Sequence, residues 1–463
     1  MLCLDVESSN SLSCSRALSS LRSQKYVLCL DVVQIICDFS DLTTQINLIQ
    51  SCKEYDEYLK IRKLNCWCGI GFKITQEIIQ QKKFNKLQKL NTNDNNKITD
   101  VNHLRNTLTE LHCCLNCGID QKGFSNLTKL QKLHANNNSK ITDVNHLQNT
   151  LTELYCRDAC GIDQKGISNL TKLQKLHAND NSRITDVNHL QNTLTELDCW
   201  HNCGIDQKGI SDLKVLQKLS ASNNKKITNV NHLQYTLTKL DCYGISGIDQ
   251  KGISDLLKLQ KLDICNNSKI TNVNHLRNTL IELDCSWNCG IDQKGISDLK
   301  VLQKLNAANS KIIDVNHLQD TLIELDCSCD CGIDQKGISN LKILQNLIAF
   351  DNNKITDVNH LQNTLTELHC NGDCGIDQKG ISELKALQKL IADNNSKITD
   401  VNHLQYTLTE LDCRLLCGID QKGISELKVL QKLDAGGNGK ITYVNHLRSK
   451  NRLMGLKPFY DFY

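Results

Sequence analysis

The sequence predicts a solenoid of short stacked units, preceded by a small all-α module, and three observations predict it. A 43-residue unit recurs almost unchanged between Leu87 and Leu447. Its landmark string GIDQKG appears eight times, from Gly118–Gly123 to Gly418–Gly423, and VNHL nine times, from Val101–Leu104 to Val444–Leu447. Residues 26–60 do not follow the unit and place apolar residues at helical spacing instead. A unit this short cannot bury its own apolar face, so it stacks on its neighbours.

The unit beginning at Leu194 shows the construction. Its first half runs Leu194, Leu197, Cys199, Asn202, Ile205, Ile210, Leu213, and its second Leu216, Leu219, Ala221, Asn224, Ile227, Val230, Leu233. Both open as L-x-x-L-x-(C/A)-x-x-N, which resembles the leucine-rich repeat. The resemblance implies an α/β fold with a curved parallel sheet on the concave face. Each half then returns over the convex side, since parallel strands need a crossover. The two-residue period puts Leu197 and Cys199 inside and Asp198 and Trp200 outside. The second-half asparagines (Asn138, Asn181, Asn267 and their equivalents) read as the family's asparagine ladder, satisfying backbone groups where strand turns to loop. First halves keep that residue only at Asn116, Asn202 and Asn288. Ile245 and Leu416 stand there in two others, so those bends are expected to be less regular. One copy is a residue short, in NAANSKII.

Residues 61–447 are thus expected to form about 18 turns, or eight to nine 43-residue double repeats, after a worn first turn at Ile61-x-x-Leu64-x-Cys66. Residues 448–463 are expected to cap the last turn, and the Ser-rich residues 1–25 to be disordered.

Composition narrows the function. The net charge is +3 with both signs interspersed, which argues against nucleic acid as a partner. No stretch reads as a signal peptide or membrane span, so a cytoplasmic protein is expected. The 25 cysteines are expected to be reduced core residues, because Cys113, Cys156, Cys199 and their equivalents recur two turns apart. That separation is on the order of 10 Å, beyond a disulfide or a shared zinc ion. The VNHL histidines, His103 to His446, are equally far apart. A column repeated eight times, such as Asp-Gln-Lys in GIDQKG, is a poor active site, since catalysis needs one preorganised constellation. No enzyme and no cofactor is therefore expected, and the Asp-Gln-Lys columns read as solvated polar rows.

The copies also differ among themselves. The two residues after each core cysteine change freely, whereas Asp206, Gln207 and Lys208 match in all eight copies. The changing pairs include Arg157, Trp200, His201, Tyr243, Trp287 and Arg414, several of them of the types enriched at binding hot spots. They are expected to mark a strip on the concave face that binds a protein target.

The N-terminal segment carries a second resemblance. Leu28-x-x-Asp31-Val32-Val33-x-x-Ile36-x-x-Phe39, then Asp41-Leu42, then Ser51-Cys52-Lys53-x-Tyr55, resembles an F-box, with Cys29 where that family usually has Pro and Tyr55 where Trp is common. The C-G-I-D-Q-K-G-I-x-x-L halves are similar to the cysteine-containing repeats that accompany such modules, with Cys displaced by one position. The resemblance implies an adaptor of a Skp-cullin-type ubiquitin ligase. Leu28, Val32, Ile36, Phe39 and Leu42 would then face the Skp-type adaptor, while the repeats hold the target. Giant DNA viruses of amoebae carry many proteins of this look, and the Asn-, Lys- and Ile-rich composition would fit such a source, with the host cytoplasm as the place of action. A stand-alone repeat scaffold or decoy, its helices a simple cap, is the other expectation.

Overall fold

A computed structural model describes residues 30–51, 59–65 and 74–443. The expectations for residues 1–25 and 448–463, for the last VNHL copy and for Leu28 fall outside the described residues. The chain divides into two compact units, Met1–Leu213 and Lys214–Tyr463. No helix among the described residues is long and apolar enough to cross a membrane.

Each unit is a leucine-rich repeat solenoid. In the first, seven described strands of three residues, from Lys63–Asn65 to Glu196–Asp198, pair in parallel and in chain order. In the second, eleven such strands run from Lys218–Ser220 to Lys432–Asp434 in the same manner. The register sets leucine beside leucine, so Leu133, Leu154, Leu176 and Leu197 form one buried column and Leu240, Leu262 and Leu283 another. The alternating Cys and Ala of the next inward position are buried as well. As expected, Leu197 and Cys199 point in, while Asp198 and Trp200 stay partly exposed.

The return paths explain the repeated strings. Asp163 caps the short helix Gln164–Ile167 by accepting from Gly166 N at 3.0 Å. Gln164 Oε1 accepts from the backbone of Thr185 and Asp186, both at 2.9 Å. Gly166 packs so tightly on the Thr142 carbonyl of the preceding turn that a Cβ would overlap it. In VNHL, Asn188 Nδ2 donates to Lys208 O at 2.8 Å and its Oδ1 accepts from Asp212 N at 2.9 Å. His189 Nε2 lies 3.1 Å from Ile167 O, and His275, His317, His360 and His403 repeat that contact. The Asp and Gln of GIDQKG are therefore more than solvated rows: they fasten one turn to the next.

The asparagine ladder forms as expected in the second halves. Asn181 Nδ2 donates to Cys156 O at 2.9 Å and Ile162 O at 3.1 Å, and Oδ1 accepts from Arg183 N at 3.0 Å. The first halves correct the sequence reading. Asn116, Asn202 and Asn288 are exposed, and the buried slot belongs to the next residue, Cys117, Cys203 and Cys289. These turns hold one residue more than those of the second halves and pass through a left-handed residue, at Leu115 (φ 60), His201 (φ 56) and Trp287 (φ 58). The bends at Ile245 and Leu416 are just as regular, with φ 68 at Gly244 and φ 58 at Leu415, and both side chains point to solvent. In the short copy Ser310 takes the ladder slot and its Oγ accepts from Ile312 N at 3.4 Å.

At the N-terminus, α1 (Leu30–Phe39) and α2 (Leu42–Gln50) pack together, and Asp41 caps α2 through Thr44 N at 2.8 Å. Val33, Gln34, Cys37, Leu48 and Ile49 are buried. The Gln34 carboxamide pairs with the Lys60 backbone in both directions, each bond 3.0 Å, and so ties α1 to the lead-in of the first strand.

Candidate functional site

The strands present two outward columns. The first is mostly Lys and Glu, alternating over stretches such as Lys89 to Glu196 and Lys261 to Glu324, and pairs with itself across neighbouring strands: Lys132–Glu153 at 2.9 Å, Lys261–Glu282 at 2.8 Å, Lys304–Glu324 at 2.8 Å and Lys389–Glu367 at 2.7 Å. Pairs as exposed as these contribute little stability, but they leave the column close to neutral.

The second column changes character between the units. In the first unit it is a stack of rings: His112 on His134 at 3.9 Å, His134 on Tyr155 at 4.0 Å and Tyr155 on His177 at 4.3 Å, with interplanar angles of 19°, 7° and 10°. Burial, then the neighbouring His112, pulls the His134 imidazole down to about 4. The stack ends on Asp198, which takes His177 Nδ1 at 3.1 Å and Arg157 at 3.2 Å. In the second unit the column holds Asp241, Asp263, Asp284 and Asp326 on the floor of a trough of about 720 Å³. Burial, with Asp284 and Asp241 adding repulsion, pushes the Asp263 carboxyl up to about 6. This column escapes sequence reading because it sits between the two invariant core positions of each strand; comparing copies at that single position would have exposed it.

The six residues expected to bind a target occupy the turn that follows each strand, at the rim of the sheet. Arg157 lies back over the sheet edge, held by Asp198 at 3.2 Å. Trp200 is half-buried with its ring edge-on to that of His201 at 4.1 Å, and His201 reaches Asp180 at 3.3 Å. In the second unit Tyr243 is half-buried and Trp287 is 52% exposed. Arg414 grips Asp412 through Nε and a terminal nitrogen, both at 2.8 Å. Within the first unit Trp200 meets His201; Tyr243, Trp287 and Arg414 stand on separate turns. The constancy of Asp206 and Gln207 loses its value as a contrast, because the cap and stitch just described constrain those positions.

Of the residues assigned to a Skp-type adaptor, Ile36 is half-buried. Leu28 and the side chains of Val32, Phe39 and Leu42 lie outside the described residues. Ile35, which the F-box pattern does not single out, is 56% exposed.

No family model matches the chain, and no curated protein matches it. Among solved structures it is similar to the functional domain of InlJ from Listeria monocytogenes, whose description includes a cysteine ladder: 20% identity, TM-score 0.40, covering 76% of this chain and 73% of that one. An internalin, inlF, of the same organism gives 19% identity and TM-score 0.37 over 78% of this chain and 89% of the other. Rad7, solved with Elc1 from yeast, gives 14% identity and TM-score 0.35 over 97% and 98%.

Proposed function

We propose that the protein is a non-catalytic binding scaffold whose protein target docks on the second outward column and the rim turns beside it. One observation carries the reading. The second outward column, free of core packing, carries four stacked rings on successive strands of the first unit and, in the second, the carboxylates Asp241, Asp263, Asp284 and Asp326 along one trough. Like chemistry gathered on neighbouring strands within a unit is what partner selection favours. The rim adds the exposed Trp287, an aromatic of the hot-spot type.

The finer reading makes the scaffold a substrate adaptor. Leu28, Val32, Ile36, Phe39 and Leu42 would dock on a Skp-type adaptor subunit, and the repeats would present a target for ubiquitination in the cytoplasm, that of a host if the source is viral. The second reading, a scaffold with no ubiquitin role, is favoured by Gln34, whose bonds to Lys60 fit α1 for covering the first turn. Co-purification separates them: the adaptor reading expects a Skp-type subunit with the intact chain, lost on Val32→Asp with Ile36→Asp. Failure of the intact chain to retain that subunit leaves the scaffold reading standing.

A further inference from the structure

The trough of the second unit assigns a chemistry to the target, and this step rests on the docking face proposed above. Its lining reaches from the strand Lys218–Ser220 to the strand Asn346–Ile348. Three carboxylates of its floor meet neutral donors. Asp263 accepts from Cys265 N at 3.0 Å, Asp284 from Ser286 N at 3.0 Å and Asn306 Nδ2 at 2.9 Å, and Asp326 from Ser328 N at 3.0 Å. Lysines of the same trough are engaged elsewhere: Lys239 with Asp241 at 3.1 Å, Lys261 with Glu282 at 2.8 Å and Lys304 with Glu324 at 2.8 Å. Among the described residues, no ammonium or guanidinium forms an ion pair with Asp263, Asp284 or Asp326.

A second observation at the end of the same trough points to the same kind of ligand. Asn346 lines it, in register with Glu324 of the neighbouring strand. Its Oδ1 is buried and has no hydrogen-bond partner, and a buried acceptor left so is costly. Carboxylates without a cation and an amide oxygen without a donor ask for one thing, a positively charged group rich in N–H. Lysine and arginine supply it, because both donate and neither accepts. The burial and mutual repulsion that raise the Asp263 carboxyl to about 6 are relieved by such a cation. The spacing selects the form. Neighbouring strands lie about 4.8 Å apart, so Asp263 and Asp326, three strands apart, are separated by about 14 Å. An extended chain covers about 14 Å in four residues and sends alternate side chains to one face.

We infer that the trough receives an extended basic segment of the target, with lysine or arginine at alternate positions over Asp263, Asp284 and Asp326 and a donor reaching Asn346.

Calorimetric titration of the intact chain at low salt tests it, with a capped Lys-Ser-Lys-Ser-Lys peptide beside its counterpart carrying Glu for Lys. Saturable binding of the basic peptide alone is expected, weakened by at least about tenfold in the variant Asp263→Asn with Asp284→Asn and Asp326→Asn. Each replacement keeps an acceptor oxygen for the neutral donors, so circular dichroism should stay unchanged. A second variant, Asp212→Asn with Asp255→Asn and Asp298→Asn, removes the same charge from exposed positions of the return paths and should bind as the wild type does. Failure of the basic peptide to saturate, equal weakening in both variants, or uptake of calcium ions in its place overturns the inference. A target isolated with the wild-type chain separates this inference from the docking face itself. Capture kept by the trough variant but lost on Asp284→Tyr, which fills the face whatever the charge, overturns the basic segment and keeps the face. Capture kept by both variants removes the face and the segment together.

Discussion

Gln164 holds Asp186 of the following turn at both backbone groups: its Oε1 accepts from Asp186 N at 2.9 Å and its Nε2 donates to Asp186 O at 2.9 Å. The same carboxamide also accepts from Thr185 N at 2.9 Å. Each turn of a solenoid touches only its neighbours, and this one side chain contributes three hydrogen bonds to the polar joint between two of them. Gln164→Ala is expected to lower unfolding stability by about 1–3 kcal/mol, the cost of stranding backbone groups. Lys165, next in the string and exposed, should tolerate Ala to within about 0.5 kcal/mol. Urea denaturation of the two variants checks the difference; equal effects would refute the joint.

The ladder supports a sharper comparison. Asn181 is buried and spends its carboxamide on Cys156 O, Ile162 O and Arg183 N, whereas Asn202, which occupies the motif's asparagine place in its own half, is exposed. Asn181→Ala should cost about 2–3 kcal/mol and Asn202→Ala close to nothing, with denaturation midpoints as the readout.

That pair shows where the sequence is legible and where it is not. Period-two burial and the leucine columns follow directly from spacing, so the solenoid, the inward Leu197 and Cys199 and the second-half ladder are all readable. The first-half ladder is misread because one added residue in the turn moves the buried slot from Asn202 to Cys203. The motif keeps its letters while the backbone shifts under them, and only the burial of Cys203 beside the exposed Asn202 reveals it. The ring stack from His112 to His177 is illegible for another reason: its members lie about 21 residues apart in the chain, and only the register brings them face to face.

The thiols provide a chemical test of the core. Burial raises the pKa of Cys156, Cys285 and Cys370 well above the ordinary thiol value, with neighbouring cysteine sulfurs adding to it. Thiolate, not thiol, reacts. In the native protein at pH 8 these columns should resist an aromatic disulfide reagent for as long as the fold persists. Among the described cysteines Cys265 and Cys329 are partly exposed and should react first, although both are slowed by burial and by neighbouring aspartates. Mass-spectrometric mapping gives the order; early modification of Cys156 would contradict the packing.

Two groups of the second outward column should respond to pH in opposite ways. His134 titrates near 4 in the fold against about 6.5 in an unfolded chain. Between those values the unfolded state binds the proton more readily, so stability present above about pH 6.5 is lost as pH falls toward 4. His146, His189 and His275 are also lowered, chiefly by burial, and add to the loss where their folded values fall below the unfolded one. His134→Phe should flatten that acid limb. Asp263 is raised to about 6 against about 3.9 unfolded, so its carboxylate weakens the fold as pH rises through 6. Asp263→Asn is therefore expected to stabilise the chain at pH 7 by an amount on the order of 1 kcal/mol after solvent screening. Thermal melts from pH 4 to 8 check both signs, and a stabilised acid limb in Asp263→Asn would contradict the carboxylate row.

Trp287 separates binding from stability. It is 52% exposed and sits at φ 58, a left-handed conformation that costs a bulky residue roughly 1 kcal/mol and glycine almost nothing. A large exposed aromatic in a strained backbone position is hard to explain by folding alone, since Gly244 and Gly372 occupy the equivalent place in other copies. Trp287→Gly should leave the melting temperature unchanged or raise it. Combined with Trp200→Ala and Tyr243→Ala, it should abolish capture of a target isolated with the wild-type chain, measured by quantitative crosslinking. Loss of fold together with loss of capture would assign these aromatics to packing, and retained capture would remove the rim from the binding face.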